Sequence, residues 1–131
     1  MRLSKSVVAL VVVLALNVVL AVLLTPLGFE SRPPTTLTTV GYVAIGTVFL
    51  GLILDVASII VLFRRVRAGS MLAILGVILF IVPNVADRTG SFFSLPIPPV
   101  VNVLEYVFEA VLLVTLVLAA AVYRASKPSS S

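Results

Sequence analysis

Apolar residues run almost unbroken through four stretches of this chain, and polar residues fall in the gaps between them or at single positions inside them. Residues 7–24, VVALVVVLALNVVLAVLL, hold no charge. At ~1.5 Å rise per residue this helix is about 27 Å long, enough to cross the hydrocarbon of a bilayer. The basic start, with Arg2 and Lys5, also fits a secretory signal. However, the apolar run exceeds the ~7–15 residues of a signal core, and no A-x-A-like site follows it. The expectation is a first membrane helix that is kept.

Residues 25–36, TPLGFESRPPTT, read as a loop, because Pro26, Gly28, Pro33 and Pro34 oppose helix. The second span covers 37–63, longer than a bilayer needs, and is expected to tilt or protrude. Its Gly41, Gly46 and Gly51 let a neighbouring helix come close. The sequence RRVRAG then reads as a tight basic loop. The third span, 71–86, is short, and Pro83 in its last turn is expected to kink or end it. Residues 87–99 form the longest loop. Phe92, Phe93, Leu95 and Ile97 make it apolar, so it is expected to lie on the interface or fold back over the bundle. The fourth span is 100–123, and 125–131 reads as a short disordered tail. The pattern predicts an all-α integral membrane protein: one domain, a four-transmembrane-helix bundle of two helical hairpins.

Composition agrees. Of 131 residues, 61% are apolar and 11% charged, whereas a soluble domain is nearer half apolar and a quarter charged. A chain this short cannot hide so much apolar side chain from water. The net charge of +4 raises nucleic acid as a partner, but the basic residues flank the apolar runs instead of lining one face with interleaved aromatics. Their placement predicts topology. With both termini inside, the inner segments hold Arg2, Lys5, Arg64, Arg65, Arg67, Arg124 and Lys127, and the outer loops hold Arg32 and Arg88. Seven against two in short loops places both termini in the cytoplasm of a cell-membrane protein. The outer loops also resemble one another. Each has an acid followed by Arg (Glu30 and Arg32; Asp87 and Arg88) and a proline pair before the returning helix (Pro33–Pro34; Pro98–Pro99). Duplication of a hairpin would produce this, though proline pairs are also ordinary helix starts.

Candidate chemistry is sparse. With no Cys and no His, disulfides, thiol nucleophiles, imidazole triads and the usual zinc and haem ligand sets are excluded. No nucleotide-loop, nucleophile-elbow or zinc-protease motif occurs. Neither an enzyme nor a cofactor is expected.

What stands out is polarity in the wrong solvent. Counted from each helix's inner end at ~1.5 Å per residue, Asn17 lies about 15 Å deep, and Asp55 and Thr115 about 12 Å deep. Each sits on a stripe of small or polar residues that faces other helices, so Asn17 and Thr115 are expected to hydrogen-bond Asp55. Asp55 is either a site that exchanges a proton or cation, or a buried tie between helices. A second tier lies near the outer face, where Asn84, Asp87 and Arg88 close the third span and Asn102, Glu105, Tyr106 and Glu109 open the fourth. Asn102, Glu105 and Glu109 share one helix face. Two carboxylates one turn apart repel unless a cation intervenes, and Arg88 or Arg32 is the natural partner. This tier reads as an outward cation or proton site, an ion-paired gate, or a solvated helix start. The partners expected are the lipid bilayer and other copies of the chain or other membrane subunits. The function expected is an accessory or partner bundle. The alternative is a proton- or cation-coupled carrier of small solutes using Asp55 and Glu109.

Overall fold

A computed structural model describes residues 4–30 and 32–126. It contains four long helices, α1 (Lys5–Glu30), α2 (Thr39–Leu62), α3 (Val66–Arg88) and α4 (Pro99–Ala125), with one 3₁₀ turn at Pro34–Thr36. Among the described residues there is no strand beyond a single bridge between Leu37 and Phe93. All four helices are long and apolar enough to cross a membrane. Of the expected tail, Ala125 belongs to α4, and residues 127–131 lie outside the described residues.

Three boundaries differ from the sequence reading. First, α1 does not stop at residue 24 but runs through Pro26 to Glu30. An interior proline costs about 3 kcal/mol. Here the added turn carries Phe29, whose ring meets Phe93 edge-on at 5.2 Å, and buried Gly28, whose carbonyl accepts a hydrogen bond from Arg32. Tertiary contact thus outweighs the local breaker. Second, α3 begins at Val66, not 71, so the basic loop shrinks to residues 63–65. The turn is tight because Gly69 lies directly against Leu62, where a Cβ would come within 2.7 Å of the Leu62 side chain. The Ser58 hydroxyl donates across it to the Gly69 carbonyl at 2.6 Å. Third, Pro83 does not end α3, which continues to Arg88. Beyond the proline, Asn84, Ala86 and Asp87 are all buried, so the last turn is held by packing.

The helices close a ring: α1 packs on α2, α2 on α3, α3 on α4 and α4 on α1. Three apolar clusters stack along it. One, with Val7, Leu10, Leu14, Leu62, Ala73, Ala119 and Val122, fills the end where the described chain starts and finishes. Arg67 closes that end, donating to the Tyr123 hydroxyl at 2.8 Å and to the Ser126 carbonyl at 3.1 Å. The second, around Phe80, Phe108 and Leu112, fills the middle. The third joins Ala44 and Ala86 to Phe92 and Phe93 at the opposite end.

There the loop after α3 folds back over the bundle, one of the two outcomes expected from its apolar content. Phe92 and Phe93 are buried, stacked at 4.8 Å. Gly90, at φ 76°, makes the turn that glycine alone adopts at no steric cost. The loop then pairs with the segment between α1 and α2: Thr38 N donates to Phe92 O at 3.1 Å, and Ser94 N to Thr36 O at 2.8 Å. Thr38 also caps α2, its hydroxyl accepting from Gly41 N.

Outward faces are apolar on every helix, with Val12, Ile53, Ile78 and Leu113 among the exposed side chains. In water, continuous surface of this kind would associate, and in hydrocarbon it is at rest.

Candidate functional site

The mid-depth residues form a polar layer between the first two apolar clusters. Asn17 follows Leu14 of the first cluster and precedes Leu20 of the second. Thr115 lies between Ala119 and Leu112 in the same way. Asn17, Asp55 and Thr115 are each fully buried. The expected three-way bonding does not occur. Asn17 Nδ2 donates to Thr115 Oγ1 at 2.9 Å, and Thr115 in turn donates to the Val111 carbonyl at 2.7 Å. This pair joins α1 to α4. Asp55 instead turns toward α3, where its Oδ1 occupies the space that a side chain at position 76 would need. Gly76 makes room for it. Ring closure is the reason: α2 packs chiefly on α3, so a group buried on α2 meets Gly76 before it meets the helix across the ring. Both Asp55 oxygens and the Asn17 amide oxygen have no hydrogen-bond partner among the described residues.

The outer tier is built differently from its sequence reading. At its centre is Arg32, 1% exposed, which the sequence reading placed in a loop and offered, with Arg88, as a partner for Glu105 and Glu109. The guanidinium grips Asp87 with both terminal nitrogens, at 2.6 and 3.2 Å, and its Nε donates to Gly28 O at 2.9 Å. It lies over the Phe93 ring, 4.1 Å from the centroid. A bidentate arginine–carboxylate pair under an aromatic lid is strong because water is kept from it. Glu105 is buried beside Asp87, within reach of the charges of both Arg32 and Arg88. It is not the solvated helix start that its position near Pro99 implied.

Glu105 and Glu109, one turn apart, face different neighbours. Glu109 turns outward, half-exposed, to Arg88, whose Nε lies 3.2 Å from Oε2 and whose Nη1 donates to Oε1 at 3.3 Å. The Nε contact is an ion pair not aligned as a hydrogen bond, so Oε2 counts as unbonded. Arg88 also sits on the Tyr106 ring at 3.7 Å. Glu109 is thus paired with Arg88, while Glu105 makes no salt bridge among the described residues. Asn84 is buried, its Nδ2 committed to the Phe80 carbonyl at 2.8 Å. Asn102 is half-buried and takes no part in the ion pairs.

A cavity of about 80 Å³ lies beneath this cluster. Its polar wall is Arg32, Asn84, Asp87 and Glu105, and its apolar walls come from Phe29, Phe80, Phe92, Phe93 and Phe108. The sequence offered Arg32 as a cation for this tier but not its pairing with Asp87. Each interhelix segment holds an acid close to an arginine, but the pair that forms joins Arg32, after α1, to Asp87 in the last turn of α3.

Compared with known proteins, the chain matches no family model, no curated protein and no solved structure. The reading of the site rests on its geometry.

Proposed function

We propose that this chain is a multi-pass helix bundle of the cell membrane, with both termini cytoplasmic. It acts without catalysis, as the partner or accessory subunit of a larger membrane complex. The observation that supports this is how the bundle uses its ions. Arg32 is bound to Asp87 and Arg88 to Glu109, so each buried or half-buried arginine at the outer end is spent on holding two helices together. Meanwhile each helix offers apolar outward surface on which another membrane segment can pack. Purification of the full chain from its native membrane in mild detergent, followed by native mass spectrometry, tests the reading. A stoichiometric membrane companion, or a defined homo-oligomer, is the expected result. A bare monomer under conditions that preserve known complexes sinks it.

One observation favours a second reading, a proton- or cation-coupled carrier. Asp55 is fully buried with both oxygens unpartnered, a costly arrangement for a group that only ties helices. In this reading Asp55 is the exchanging group, and Glu109 acts at the outer side through Arg88. Asp55→Asn keeps the shape and removes ionisation. Loss of a pH-driven flux in proteoliposomes, with assembly intact, would establish the carrier. Unchanged flux would remove its central residue.

A further inference from the structure

Charge counting at the outer cavity leaves one group unmatched. Arg32 is engaged bidentately by Asp87, and Arg88 by Glu109. Glu105 has no arginine of its own, and its Oε1 has no hydrogen-bond partner although the residue is only 7% exposed. It lines the cavity. Two acids, Asp87 and Glu105, and one arginine, Arg32, therefore line the cavity, an excess of one carboxyl group in a site walled by aromatic rings.

The cavity's shape limits what can answer that carboxyl group. Its volume, about 80 Å³, is several times the ~10–15 Å³ that a single water requires. That admits an ammonium head with its first methylenes. The lining residues that are exposed are Thr25 on α1 and Phe49 on α2, so the cavity reaches the surface between those two helices. That side is apolar, and an alkyl chain leaving by it enters hydrocarbon. Asn84, with Nδ2 committed to Phe80 O, leaves its amide oxygen as a second acceptor among the lining groups.

We propose that the outer cavity binds a primary alkylammonium, its N–H groups donating to Glu105 Oε1 and its chain passing out between α1 and α2. The aromatic walls add cation–π attraction to the head. This goes beyond the partner-subunit reading and does not depend on it.

The test is titration calorimetry of the full chain in neutral maltoside micelles. The probe is n-hexylammonium and the neutral control of equal length is 1-hexanol, each corrected against empty micelles. The expected result is saturable hexylammonium binding, tighter than hexanol by about ten- to hundredfold, the worth of one hydrogen bond to a charged group. Glu105→Gln is expected to erase that preference while hexanol still binds, which reports an intact cavity. Glu30→Gln, an exposed acid at the same end, keeps the preference. Equal binding of amine and alcohol by the wild type overturns the proposal, with no variant needed. So does a Glu105→Gln chain that retains the preference, or an absence of saturable heat. Competition by short-chain phosphatidylethanolamine would identify a lipid headgroup as the source of the ammonium; no competition would identify a free amine.

Discussion

Gly76 and Asp55 show how far one atom matters in this bundle. The carboxylate fits only because position 76 has no side chain. Gly76→Ala is therefore expected to destabilise the bundle by about 1–3 kcal/mol, the usual cost of overpacking. Adding Asp55→Ala should restore most of that loss, since it removes the group the new methyl meets. Thermal unfolding in detergent, followed by circular dichroism, reads both. If the double variant is no more stable than Gly76→Ala alone, the carboxylate is not what fills the space. Asn17 offers a milder case. Asn17→Val removes its bond to Thr115 and is expected to cost about 0.6–1.7 kcal/mol, the range for hydrogen bonds between membrane helices. Asn17 and Thr115 were legible in the sequence because polar residues in apolar runs are visible at once. Their partnership was not, because depth fixes the layer but not the direction each side chain faces.

Among the elements, the end of α1 departs furthest from its local signals. Pro26 and Gly28 both oppose helix, yet α1 continues to Glu30, and Arg32 just beyond it reaches Asp87 on α3. This ion pair ties the segment after α1 to the last turn of α3. Removing one side leaves a buried charge alone, so Arg32→Gln is expected to cost about 3–5 kcal/mol. Replacing both sides, Arg32→Met with Asp87→Leu, is expected to recover most of it. The comparison in chemical denaturation decides whether the arginine's role is to match Asp87. A double replacement as unstable as the single one would show that it is not. The outer loops depend on one another in the same way. Gly41 lies against the Phe92 carbonyl so closely that any side chain there must push the α3–α4 loop away. Gly41→Ala is expected to break the Leu37–Phe93 bridge and speed amide exchange at Thr38 and Ser94 above wild type, while Gly46→Ala, in open space, leaves both unchanged.

At the scale of the whole molecule, the start of α1 and the end of α4 lie at one end of the bundle, and the paired loops lie at the other. The charge distribution predicts that the first end faces the cytoplasm. The chain has no native cysteine, so single cysteines can report this directly. A cysteine replacing exposed Ser94 is expected to react with an impermeant maleimide from outside intact cells. One replacing Ser126 is expected to react only after permeabilisation. The reverse pattern would invert the topology.

By itself, the sequence determined that four apolar helices form, roughly where they lie, and which polar residues sit at costly depths. Those properties follow from one-dimensional facts: run length, composition and the order of charges. Tertiary structure decided the helix ends, because packing of Phe29 and Asp87 overrides the local preferences of Pro26 and Pro83. It also decided the partners. Arg32 meets Asp87 across 55 residues of chain, and Glu105 turns inward while Glu109 turns outward. Closing four helices into a ring selects which neighbour each face meets, and that choice is made by the bundle as a whole rather than by any one of its helices.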